Sequence, residues 1–130
     1  NGIISERKKS RKGVPRKRPE EYLKVGNTLA NKNIDILLIH EVPYLPSIFD
    51  NVRDSISSQI ALKTIKLIKP RVVINGHMHV GFKYYKFNFN TRYVNIDSSQ
   101  ASKYYVMIKV NSQMKIEVWR DYEIKEVLCL

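Results

Sequence analysis

The chain has 130 residues, 23 Lys and Arg against 12 Asp and Glu, a formal net charge of +11 at pH 7 and 43% hydrophobic residues. That length allows one ordinary domain and excludes two independent cores. No apolar run reaches the roughly 18 residues that span a bilayer, no signal-peptide pattern follows the basic N-terminus, and the single Cys129 excludes an internal disulfide or a zinc held by thiolates.

The expectation is a soluble cytoplasmic protein whose partners are anionic, phosphate groups first among them. The positive charge is concentrated. Residues 7–18 hold Arg7, Lys8, Lys9, Arg11, Lys12, Arg16, Lys17 and Arg18, and Gly13, Pro15 and Pro19 interrupt any helix there. Without these eight, 15 basic residues face 12 acidic ones. The segment reads as a basic loop, either a solvated arm or one that touches phosphate or nucleic acid through Arg16, Lys17 and Arg18. No aromatic is interleaved among the eight charges, which argues against a base-stacking surface.

Pro19 followed by Glu20 and Glu21 has the form of a helix start, since proline loses nothing at the first helical position and carboxylates suit the dipole there. Tyr22, Val25 and Leu29 share a face, and the helix should end near Asn31 and Asn33. Ile34 to Ile39 follow as an apolar run broken only by Asp35, short enough for a strand buried on both faces and closed by His40. Glu41 to Ser57, with Pro43, Pro46 and Asn51, reads as a loop holding at most one short helical turn, long for a passive connection. From Ser58, the residues Ile60, Ala61, Thr64, Ile65 and Ile68 fall at helical spacing, and Pro70 stops the helix. Val72, Val73 and Ile74 form a second β-branched run that leads through Asn75 into Gly76-His77-Met78-His79. Further β segments are expected near Gly81 to Phe87, Arg92 to Ile96, Tyr104 to Val110 and Lys115 to Trp119, with turns at 88–90 and 111–113.

The two apolar strands are joined by a crossover with one helix, so they should run parallel and lie close in one sheet. Each places histidine just past its last apolar residues. His40, His77 and His79, all the histidines in the protein, should therefore gather at the carboxyl edge of the sheet, where open α/β folds place their sites. A single histidine at a strand end is usually a hydrogen-bonded structural residue; three at neighbouring strand ends favour metal ligation. Gly76 permits a tight turn, and Met78 as a spacer sends two imidazoles in different directions, which suits two metal positions better than one. With no thiolate present, a catalytic site with positions open to water fits better than a structural zinc.

Ile36-Leu37-Leu38-Ile39-His40-Glu41-Val42-Pro43, and then Ile68-Lys69-Pro70-Arg71-Val72-Val73-Ile74-Asn75-Gly76-His77-Met78-His79, resemble the last two motifs of calcineurin-like metallophosphoesterases. In that family a hydrophobic strand ending in one His precedes a hydrophobic strand ending in Gly-His-x-His. Tyr93-Val94-Asn95-Ile96-Asp97-Ser98-Ser99 is similar to the strand and turn that follow. The resemblance runs from about Ile34 to Val110.

The resemblance implies an α/β protein, part of a four-layer α/β/β/α sandwich, of which this chain supplies roughly the second sheet and its covering helices. It implies that His40 and His77 bind one divalent ion of a pair and His79 the other, with Glu41, Asn75 and Gly76 as supporting candidates beside them. Imidazole and carboxylate ligands suit Mn, Fe, Zn, Ni or Co. The implied activity is hydrolysis of a phosphate ester, as a phosphodiesterase or phosphatase. The family's Asp-x-His, Gly-Asp and Gly-Asn-His-Asp/Glu motifs do not occur here. Gly26-Asn27-Thr28 lacks the histidine and falls inside a predicted helix.

Together with a first residue, Asn1, that is not Met, this leads to an expected C-terminal portion of one domain over residues 1–130. It contains no catalytic residue beyond the ligands and takes the N-terminal half of the same fold as partner. A basic nucleic-acid-binding module and a non-catalytic metal-binding scaffold are the competing expectations.

Overall fold

The computed structural model describes residues 3–4, 16–99 and 101–130. In chain order these form β1 (Ile3–Ile4), β2 (Arg16–Lys17), α1 (Pro19–Leu29), β3 (Ile36–Ile39), α2 (Ile56–Ile68), β4 (Val72–Asn75), β5 (Lys83–Lys86), β6 (Arg92–Asn95), β7 (Tyr104–Val110), β8 (Met114–Arg120) and β9 (Glu123–Cys129). Most of the expected basic loop, residues 7–15, lies outside the described set. Its last part, Arg16–Lys17, is a short strand pairing in parallel with β1.

Helix α1 begins at Pro19 as its sequence dictates. The Glu21 carboxylate reaches back to accept the Arg18 backbone N–H at 2.8 Å, satisfying a donor that the helix itself cannot. Helix α2 starts two residues before the expected position because Ser55 caps it. Ser58 N–H donates to Ser55 Oγ at 3.2 Å while Ser55 N–H donates to Ser58 Oγ at 3.1 Å. Lys69 ends α2 in the left-handed region at φ 51°, its N–H donating to Ile65 O, and Pro70 forbids continuation.

Strands β3, β4, β6 and β5 form a mixed sheet in that order, the first three parallel and β5 antiparallel to β6. The expected parallel neighbours, β3 and β4, are adjacent, pairing Ile39 with Asn75 at their carboxyl ends. β5 and β6 form a hairpin whose turn places Asn90 at φ 65°. Strands β7, β8 and β9 form a separate antiparallel sheet, with a register shift between Val118 and Trp119.

Two apolar clusters fix the layers. On one face of the mixed sheet Leu37, Ile39, Val73, Tyr93 and Phe87 pack against Ala61 and Ile65 of α2 and Tyr22 of α1. The loop after His40 joins them: Val42, Leu45 and Phe49 are buried, and Phe49 meets Tyr93 edge to face at 6.1 Å. On the other face Val72 and Val94 pack against Met114, Ile116 and Val118 of β8. Each fully buried aliphatic side chain in these clusters contributes about 1.5–3 kcal/mol of transfer free energy. The order of layers is therefore helices, mixed sheet, antiparallel sheet.

Two expectations are corrected here. The chain contributes two stacked sheets, not one, because the late β segments pair among themselves and meet the mixed sheet only face to face. β3 is not buried on both faces: Leu38 is 61% exposed, since on its face the cluster built around β8 takes in Ile36 of this strand but not Leu38. No helix among the described residues is long and apolar enough to cross a membrane.

Candidate metal centre

His40 follows β3 directly, and His77 follows β4 by one residue, Gly76. Because the two strands are adjacent and in register, the histidines meet: His77 Nδ1 lies 2.8 Å from His40 Nε2, and the rings stand nearly perpendicular with centroids 4.6 Å apart. Without a metal the two rings share a hydrogen bond, whose donor is set by the tautomers. The same separation also fits shared ligation, since two nitrogens each about 2.0–2.1 Å from one ion at a right angle are about 2.9 Å apart. Partial desolvation of a ring that stays open to solvent on one side, then the neighbouring His40, hold the His77 imidazole below its ordinary pKa, Glu41 opposing and His79 adding to the effect. It is therefore neutral at pH 7, the form that ligates metals.

His79 stands apart from this pair. Among the described residues no three His, Cys, Asp or Glu side chains converge closely enough to hold a metal together. Nearby, hydrogen bonds from Ser99, side chain first and then backbone N–H, hold the Asp97 carboxyl below its ordinary pKa, with smaller contributions from Ser102 and His79. All three histidines are exposed, open to a ligand arriving from solvent.

The supporting candidates have definite roles. Asn75, 2% exposed, donates through Nδ2 to the carbonyls of Ile39 at 2.9 Å, His40 at 2.8 Å and Glu41 at 3.2 Å, while its Oδ1 accepts the His77 N–H at 3.4 Å. One carboxamide thus ties the backbone of both histidine-bearing segments. Gly76 admits Ser98: a Cβ added there would lie 3.0 Å from Ser98 Cβ, and Ser98 Oγ donates to Gly76 O. Glu41 is buried at 9% exposure, close enough for its charge to act on both His77 and Tyr22. Burial first, and Glu41 second, push the Tyr22 phenol up to about 12.

Lys17 and Arg18 are exposed beside the start of α1; Arg16 is described through its backbone alone. The structure brings neither of the two into contact with the histidines.

Asn95 is the residue that the sequence reading leaves out. It ends β6 opposite Asn75 in the register, is fully buried, and donates through Nδ2 to Met78 O at 3.1 Å and Gly81 O at 3.4 Å. Its signal was present in the repeated pattern of an apolar strand closed by Asn, Val72-Val73-Ile74-Asn75 and Tyr93-Val94-Asn95. No protein family and no curated protein matches the chain.

Proposed function

We propose that this chain is the C-terminal portion of a calcineurin-like metallophosphoesterase domain, acting on a phosphate ester together with the N-terminal half of the same fold. His40 and His77 would hold one divalent ion and His79 would contribute to a second. The observation that carries the reading is the 2.8 Å approach of His77 Nδ1 to His40 Nε2 at the carboxyl ends of two adjacent parallel strands. A divalent ion held there would supply Lewis-acid chemistry, polarising a phosphoryl group and acidifying water. The chain's own part is to present imidazoles on a backbone fixed by Asn75 and to keep that edge open to solvent.

A four-layer sandwich needs more strands and a further helical layer than the three layers described. The edge of β3 supports that completion. Ile36-Leu37-Leu38-Ile39 has the composition of an interior strand, with none of the charges, prolines or bulges that guard an exposed edge. Beside it, under α1, a cavity of about 380 Å³ is lined by Tyr22, Val25, Leu37, Leu38, Thr64 and Ile68 among others.

The test is activity with the N-terminal half supplied. With Mn(II), the completed protein should hydrolyse a chromogenic phosphodiester or phosphomonoester and lose that activity with chelator and in His77→Ala. A completed, metal-replete protein inactive on every phosphate ester would move the reading to a metal-dependent scaffold. Salt-dependent RNA or DNA binding through Lys17 and Arg18 without hydrolysis would move it to a nucleic-acid-binding module.

A further inference from the structure

Strands β4 and β6 end at the same level, with Asn75 opposite Asn95, and each asparagine grips the segment that leaves a neighbouring strand end. Asn75 holds the backbone around His40. Asn95 holds the segment carrying His77 and His79 at its Met78 and Gly81 carbonyls. The orientation of the Asn95 amide follows from these contacts, because the flipped amide would set oxygen against two carbonyl oxygens.

Packing alone does not account for Asn95. Its Oδ1 is buried without a partner among the described residues, a desolvation cost that an apolar side chain of similar shape would avoid. What the amide provides is its nitrogen, one donor group tying two carbonyls of a segment that has no regular secondary structure between β4 and β5.

We infer that Asn95 is a positioning residue: by fixing the turn from His77 to Gly81 it sets the approach of His77 to His40, and it acts as the counterpart of Asn75, which fixes the His40 side. This deepens the metal reading and rests on it for metal affinity alone; the geometric claim stands on the metal-free chain.

The experiment compares Asn95→Leu with Thr91→Val. Leu keeps the branching and the number of side-chain heavy atoms and removes the donor. Thr91 is also fully buried on the β6 side, and its Oγ1 donates to Pro70 O at 2.6 Å, but it lies at the far end of that strand from the histidines. Both variants lose a buried side-chain-to-carbonyl bond, so a merely structural effect would be shared. Ring-to-ring NOEs between His40 and His77 are measured on metal-free protein under conditions where urea titration shows each variant folded, and Co(II) affinity is measured by titration.

Asn95→Leu should lose the NOEs and bind Co(II) at least about tenfold more weakly, as when the support of a ligand is removed. Thr91→Val should keep both near wild type. Unchanged NOEs in Asn95→Leu, or equal loss in Thr91→Val, would overturn the inference. Should Asn95→Leu not fold, Asn95→Asp, isosteric but lacking the amide donor, takes its place with the same expectation. A wild-type chain that shows the NOEs but binds no Co(II) would remove the metal reading while leaving the positioning role to the NOE result.

Discussion

His77 Nδ1 lies 2.8 Å from His40 Nε2 although the two residues are 37 positions apart in the chain. The contact follows from topology: β3, the α2 crossover and β4 return the backbone to the adjacent parallel position, so the ends of both strands share one edge. The pair is therefore only as well defined as the helix and strands that close this unit, which makes their stability the first thing to probe.

Ile65 on α2 is fully buried against the mixed sheet. Ile65→Ala should destabilise the chain by about 2–5 kcal/mol, the transfer loss plus the residual cavity. Urea unfolding followed by circular dichroism checks this, and a change under 1 kcal/mol would mean that α2 does not anchor the sheet.

Gly76→Ala places a Cβ 3.0 Å from Ser98 Cβ, where both segments leave neighbouring strands. The expected cost is about 1–3 kcal/mol through strain, together with a displaced His77. Ser98→Gly on that background should recover part of the loss. A double-mutant cycle in denaturant measures the coupling, and strict additivity would show that the two residues do not press on each other.

Much of this site was legible from residue order. Ile-Leu-Leu-Ile and Val-Val-Ile, each running into a polar residue and then histidine, leave little freedom in where the strands stop, and the helix between them forces their direction. Other parts were hidden by the same kind of reasoning. Ser55, Ser57 and Ser58 all suit a cap, and only the reciprocal bonds of Ser55 and Ser58 decide where α2 begins. Glu123 to Cys129 carries charges at Glu123, Lys125 and Glu126, and the register shift opposite Trp119 breaks its alternation, so it does not read as a strand. Asn95 resembles a turn former, and only the pairing with β4 shows it turned inward.

Glu117, on the outer face of β8, has a side chain only 2% exposed and bonded to Lys109 and Lys115, each at 2.9 Å. Trp119 Nε1 adds a third donor at 3.2 Å. Bonds from Lys109, then Lys115, dominate in holding its pKa at about 2 against an ordinary 4.5. A depressed carboxylate stabilises the fold above the unfolded value and loses that stabilisation as pH falls toward the folded one. Glu117→Gln should therefore lower Tm at pH 7, leaving the two lysines without their shared anion, and the difference from wild type should shrink between pH 4.5 and pH 2. Melting curves across that range check it; a constant gap would mean that Glu117 is not ionised in the fold.

The most direct test of the histidine pair as a metal site is equilibrium dialysis against Mn(II), followed by metal counting on the wild-type chain and on His40→Ala, His77→Ala and His79→Ala. An ion needs several donors at about 2 Å, so removing one imidazole of a shared pair collapses the whole site. The account predicts one weakly held ion on the wild-type chain, none on His40→Ala or His77→Ala, and one still on His79→Ala. Two tightly held ions on the wild-type chain, or an ion retained undiminished by His77→Ala, would contradict it.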